Sequence, residues 1–141
     1  MTVKEYLRQA YRLENKIKLQ RRRIEELEEM KTSVSSPGFE EHYNASRNTD
    51  APYVKIVERI TEYQCKQEIR MQQLLDLKEQ IRDCIDKIDN PDECLVLEHR
   101  YIYNMPWSEI GNELYADERT VRRWHNRGIS HFRLPDNPII I

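Results

Sequence analysis

The eleven residues from 117 to 127, "DERTVRRWHNR", hold four arginines, a tryptophan and a histidine. A guanidinium is a planar fork of N–H donors that fits phosphate oxygens and the major-groove edge of guanine. At helical spacing the segment sorts onto two faces. Val121, Trp124, His125, Gly128, Ile129 and Phe132 stand at i, i+3, i+4, i+7, i+8 and i+11, a single apolar stripe. Arg119, Arg122, Arg123 and Asn126 fall on the other side, with Arg127 at the boundary, and Asp117 is placed to cap the helix start. Thr120 and Asn126 add candidates for DNA-backbone or adenine contacts. Trp124 lies on the apolar stripe, so it reads as core rather than as a base-stacking residue.

Other chemistry finds little footing. His125 and His131 are six apart with no third ligand nearby, and His42 and His99 are isolated, so no metal is expected. Cys65, Cys84 and Cys94 are odd in number and form no CxxC, which indicates neither a disulfide framework nor zinc and fits a reducing cytoplasm. No Gly-rich phosphate loop, HExxH or Ser-His-Asp set appears, so neither an enzyme nor a cofactor is expected. The formal net charge of the 141 residues is only −2, but residues 118 to 133 carry five arginines against the single acid Glu118. Screening confines such a field to roughly 10 Å, so a local patch can bind phosphate on a slightly acidic chain.

The elements that would hold this helix are themselves helical. "TVKE" offers a capping box from Thr2 and Glu5, and Val3, Tyr6, Ala10, Leu13, Ile17, Gln20, Ile24 and Leu27 follow at spacings of three and four. That predicts a helix from about residue 2 to 31. Residues 32 to 52 read as a connection, and Asp50 and Pro52 suit the cap and first turn of a second helix. Along it Tyr53, Val57, Ile60, Gln64, Gln67, Met71, Leu74, Lys78, Ile81, Cys84 or Ile85, and Ile88 repeat the spacing to about Asp89. The two seams most economically close as an antiparallel hairpin, and they could also join copies of the chain, with Gln20, Gln64 and Gln67 able to fix register or oligomeric state. The run Arg21-Arg22-Arg23 on the exposed side reads as a solvated face.

After Ile88 the pattern shortens. Asn90 is a cap, Pro91 a first helical residue, and Asp92 and Glu93 suit the positive end of the helix dipole. The expected apolar face is Cys94, Leu95, Leu97 or Glu98, and Tyr101 with Ile102. "PWSEIGNELY" forms a second short helix with Trp107, Ile110 and Leu114 inward, and a tight Tyr115-Ala116-Asp117 turn leads to the arginine helix. The fold class is therefore all-α: a long helical hairpin over 1–89, a three-helix helix-turn-helix unit over 90–133 and a tail over 134–141. The tail, "RLPDNPIII", could be disordered, pack on the helices or exchange between subunits. No apolar run is long enough to span a membrane, and no signal peptide is evident.

The stretch "LVLEHRYIYNMPWSEIGNELYADERTVRRWHNRGISHFR" resembles the sigma-70 region-four helix-turn-helix, with its successive "LRY", "W-x-E-I" and "T-V-x-R" helices. The layout from "VKEYLRQAYRLENKI" onward is similar to prophage-encoded regulators of the ArpU and RinA kind. The resemblance implies that Leu97, Tyr101, Trp107, Ile110, Leu114, Val121 and Ile129 hold the three helices together. It implies that Arg119, Thr120, Arg122, Arg123, Asn126 and Arg127 face double-stranded DNA. Two positions depart from that pattern: Gly111 stands where alanine is usual, and Tyr115 replaces the usual glycine of the turn, calling for a turn that avoids a strained positive φ. The expected function is a sequence-specific, homo-oligomeric transcription regulator, of the type that activates phage late genes. An RNA polymerase or sigma-factor adaptor, or a small DNA-packaging component, is the alternative.

Overall fold

A computed structural model describes residues 1–34 and 45–141, the side chains of 34 and 45–50 aside. The chain is all-α: α1 (Val3–Val34), α2 (Ala45–Asp86), α3 (Pro91–Leu97) running into a π turn (Glu98–Ile102), α4 (Trp107–Leu114) and α5 (Glu118–His131). No strand occurs among the described residues, and none of their helices is long and apolar enough to cross a membrane.

Local signals start α1 and α3 where the sequence places them. Thr2 N donates to the Glu5 carboxylate at 2.8 Å and Glu5 N to Thr2 Oγ1 at 3.2 Å, a complete capping box that also lowers the Glu5 pKa. Asn90 Oδ1 accepts from Asp92 N at 2.9 Å and Glu93 N at 3.4 Å ahead of Pro91. The bounds of the connection differ from expectation. α1 runs on to Val34, and α2 begins at Ala45, so Asp50 and Pro52 lie inside α2 rather than at its cap and first turn. Pro52 forgoes one backbone hydrogen bond to the carbonyl four residues earlier, a local loss that the surrounding turns carry. Of the connection expected over 32–52, residues 35–44 lie outside the described residues.

By contacts the chain divides into Met1–Glu14 with Gln73–Ile141, and Asn15–Gln72. In the first unit the start of α1 and the end of α2 pack antiparallel. Tyr6, Leu7, Ala10, Leu77, Ile81, Cys84, Ile85 and Ile88 share one core with Leu97, Ile102 and Phe132. Lys78 pairs with Glu14 at 3.7 Å, and Tyr6 Oη donates to Gln80 Oε1 at 2.6 Å. The tail belongs to this unit: Gln9 Nε2 donates to the Ile139 carbonyl at 2.8 Å, Ile139 N to Gln80 Oε1 at 3.0 Å and Ile141 N to Gln9 Oε1 at 2.9 Å. In the second unit Ile17, Gln20, Ile56 and Ile60 are buried, and Gln20 Oε1 has no partner among the described residues.

Every expected seam position of α1 is buried or half-buried. On α2 the seam is turned by one residue. Ile56, Ile60, Tyr63, Gln67, Arg70, Leu74, Leu77, Ile81 and Cys84 form an unbroken four-three alternation that Ile88, just past the helix end, continues, while Val57, Gln64 and Met71 face outward. Ile56 and Leu77 offer more apolar area than Val57 and the Lys78 stem, so the helix rotates to bury them.

The C-terminal helices close on a second small core of Val96, Ile110 and Val121, flanked by Met105, Trp107, Leu114, Ala116 and Trp124. Leu95 is exposed and Val96 takes the inward place expected of it, because the inward face of α3 is set by α5. α5 crosses α3 at Gly128, where a Cβ would stand 3.0 Å from Leu97 Cδ1. Glu93 does more than meet the helix dipole: it is buried, with its carboxylate 2.7 Å from His131 Nδ1.

The α4–α5 turn corrects one expectation. Tyr115 adopts the left-handed conformation, φ 53° and ψ 43°, with its side chain 97% exposed. That geometry lets Ala116 N donate to the Gly111 carbonyl at 3.0 Å, and it costs a residue with a Cβ on the order of 1 kcal/mol. The same close turn explains Gly111: a Cβ there would meet the Ala116 carbonyl oxygen at 2.7 Å. The two departures from the resembled pattern are thus parts of one tight turn.

Candidate nucleic-acid interface

α5 owes its start to Asp117, whose Oδ1 accepts from Thr120 N at 3.0 Å, an interaction that holds the Asp117 carboxyl below its usual range. Its inner face is the predicted stripe: Val121, His125, Gly128 and Phe132 are buried, Trp124 and Ile129 half-buried. That fixes the opposite face. Arg119, Arg122, Arg123, Asn126 and Arg127 are all exposed, while Thr120 is half-buried. None of the four arginines is ion-paired among the described residues.

Beside this face, and sharing Arg122 and Asn126 with it, opens a cleft of about 770 Å³. Its other walls come from the first turns of α1 (Lys4, Arg8, Tyr11, Arg12) and from the π turn and its exit (Arg100, Tyr101, Asn104). Two guanidiniums lie over the Trp107 ring, Arg100 at 4.3 Å and Arg122 at 5.7 Å from its centroid. Arg100 is anchored by donating to the Met105 carbonyl at 3.0 Å, and the Asn104 amide donates to the Glu14 carboxylate. Trp107, expected as core, is half-buried and spends part of its surface on this cleft.

His125 forms part of the lining. Its ring meets Trp107 edge-on at 4.8 Å, Tyr101 Oη lies 2.6 Å from Nε2 and Asn126 Oδ1 3.3 Å from Nδ1. These partners suit a neutral ring with its proton on Nδ1, accepting from the Tyr101 phenol. Desolvation drives the His125 pKa below its ordinary value of 6.5, and burial raises that of Tyr101, which keeps the phenol protonated.

A pH dependence follows. Above about pH 6.5 the ring is neutral in both folded and unfolded chains, and its contribution is constant. As pH falls below that value the unfolded chain takes the proton first, so stability drops until the lowered folded pKa is passed. His125→Gln removes this linkage. Urea midpoints from pH 7.5 to 5 should therefore converge between wild type and variant as pH falls; parallel curves would show that His125 titrates normally.

The interface residues drawn from the sequence are thus brought onto one face, Thr120 least openly. Lys4, Arg8, Arg12, Arg100 and Trp107 were not among them. Their one sequence signal is the i, i+4, i+8 spacing of Lys4, Arg8 and Arg12, which makes a cationic stripe beside the apolar seam of α1. Among the described residues no group of three or more His, Cys, Asp or Glu is placed to hold a metal. Compared with known proteins, the chain matches no family model, no curated protein and no solved structure.

Proposed function

We propose that this chain is a sequence-specific double-stranded-DNA-binding transcription regulator, with α5 as the helix that enters the major groove. One observation carries the reading: Arg119, Arg122, Arg123 and Arg127 stand exposed, without ion pairs among the described residues, on a capped helix whose other face is core. Arginine on such a face contacts guanine and phosphate together. The resemblance to region-four modules and to prophage-encoded late-gene activators points the same way and supports a cytoplasmic regulator that acts with RNA polymerase.

A single small module rarely supplies a specific regulator's affinity, and two joined modules raise it through effective concentration. Homo-oligomerisation is assigned to residues 15–72, which expose Leu19, Met30, Val54, Ile69 and Met71. Selecting bound duplexes from a random pool, then measuring affinity across salt, tests the function. Enrichment of one motif with a steep salt slope is expected; no enrichment and no duplex affinity would refute it. A mass by light scattering equal to the 17.2 kDa monomer at all concentrations would refute the oligomer.

A further inference from the structure

The cleft beside α5 has a composition the arginine helix does not explain. Lys4, Arg8 and Arg12 on α1, Arg100 at the π turn and Arg122 on α5 line it, with no carboxylate among its lining residues. None of these five cations is ion-paired among the described residues. Like charges gathered this closely repel one another, so the arrangement is lowest in energy when an anion sits among them.

We propose that this cleft holds the DNA backbone beside the bases read by α5, making the first turns of α1 a phosphate clamp. The inference rests on the DNA-binding reading above. Three observations favour a nucleic-acid strand over an enclosed small anion. The cleft is open to solvent; Arg122 and Asn126 belong both to its wall and to the outward face of α5, so an occupant of one runs into the other; and Lys4, Arg8 and Arg12 succeed one another along about 12 Å of helix, a row rather than a point. Its rigidity comes from the α1–α2 core beneath Lys4, Arg8 and Arg12, where Tyr6, Leu7, Ala10 and Leu13 are buried. Arg100, held over Trp107 and by the Met105 carbonyl, is pre-positioned for phosphate. Phosphate contacts position a protein on DNA without specifying sequence.

The test compares the wild-type 141-residue chain with Lys4→Ala/Arg8→Ala/Arg12→Ala, using the selected duplex, an unrelated duplex and a fluorescent mononucleotide. All three substitutions are at exposed positions and place alanine, a strong helix former, in a helix. The triple variant should lose about tenfold or more in affinity for both duplexes by the same factor, and its log–log salt slope should fall by about 2 to 3. Arg21→Ala/Arg22→Ala/Arg23→Ala removes the same charge from α1 elsewhere and, in a preparation whose mass by light scattering equals the wild type's, should leave both values nearly unchanged; an equal loss at equal mass would overturn the clamp in favour of net charge alone. Lys4→Gln/Arg8→Gln/Arg12→Gln, which removes the charge but keeps part of each aliphatic stem, provides a second variant should the alanine form lose packing under those stems. Unchanged duplex affinity and slope overturn the proposal while the function stands, as does mononucleotide binding lost from the variant with duplex binding intact. A wild type that binds no duplex overturns both.

Discussion

Leu97→Ala is expected to lower stability by about 2–5 kcal/mol, the range for emptying a buried leucine site. Leu97 is fully buried at the end of α3, in one core with Tyr6, Leu7, Leu77, Ile81, Ile85, Ile102 and Phe132. These neighbours come from α1, α2, the π turn and the end of α5, each held by other contacts, so the site cannot collapse onto the void. Gly128 gives a sharper check. A methyl there would stand 3.0 Å from Leu97 Cδ1 and 3.1 Å from Cγ, so Gly128→Ala in the wild type crowds a full site. In the Leu97→Ala background the same methyl enters the space vacated. Chemical denaturation of the four forms should show a double variant less destabilised than the sum of the singles. Simple additivity would mean that α3 and α5 do not meet at this pair.

The second large effect concerns binding. Arg122→Ala and Arg123→Ala should each cost about 1–3 kcal/mol of specific DNA affinity. Both residues are exposed, so thermal denaturation should change little. The two are not equivalent. Arg123 stands clear of the cleft, and its loss should relax preference at one or two base positions. Arg122 lies 5.7 Å from the Trp107 ring centroid and lines the cleft, so its loss should also reduce the salt slope. Unaltered affinity and preference in both variants, measured by titration against selected and scrambled duplexes, would remove α5 as the reading helix.

Features set within one or two helical turns were legible in advance. The Thr2–Glu5 box, the Asn90 and Asp117 caps and the apolar stripe from Val121 to Phe132 each depend on residues a few positions apart, and each is present. The seam of α1 was legible for the same reason. On α2, Ile60, Gln67, Leu74 and Ile81 fit two registers equally, and only packing against a partner chooses Ile56 over Val57 and Leu77 over Lys78. At Tyr115 the expectation was a turn that avoids a positive φ, and the chain takes the left-handed conformation there instead. That choice follows from the closeness of Ala116 to Gly111.

The sequence alone determined that the protein is helical, where its C-terminal helices start and which face of α5 keeps its arginines outward, because periodicity and caps act through the chain's nearest turns. Tertiary structure alone decided that Glu93 is buried against His131, that Arg100 and Trp107 stack, and that Lys4, Arg8 and Arg12 line a cleft with Arg122. Those residues are separated by 38, 7 and more than 100 positions. No local spacing encodes such meetings; they arise when the apolar faces of α1, α2, α3 and α5 exclude water in a shared core and carry the polar faces along with them.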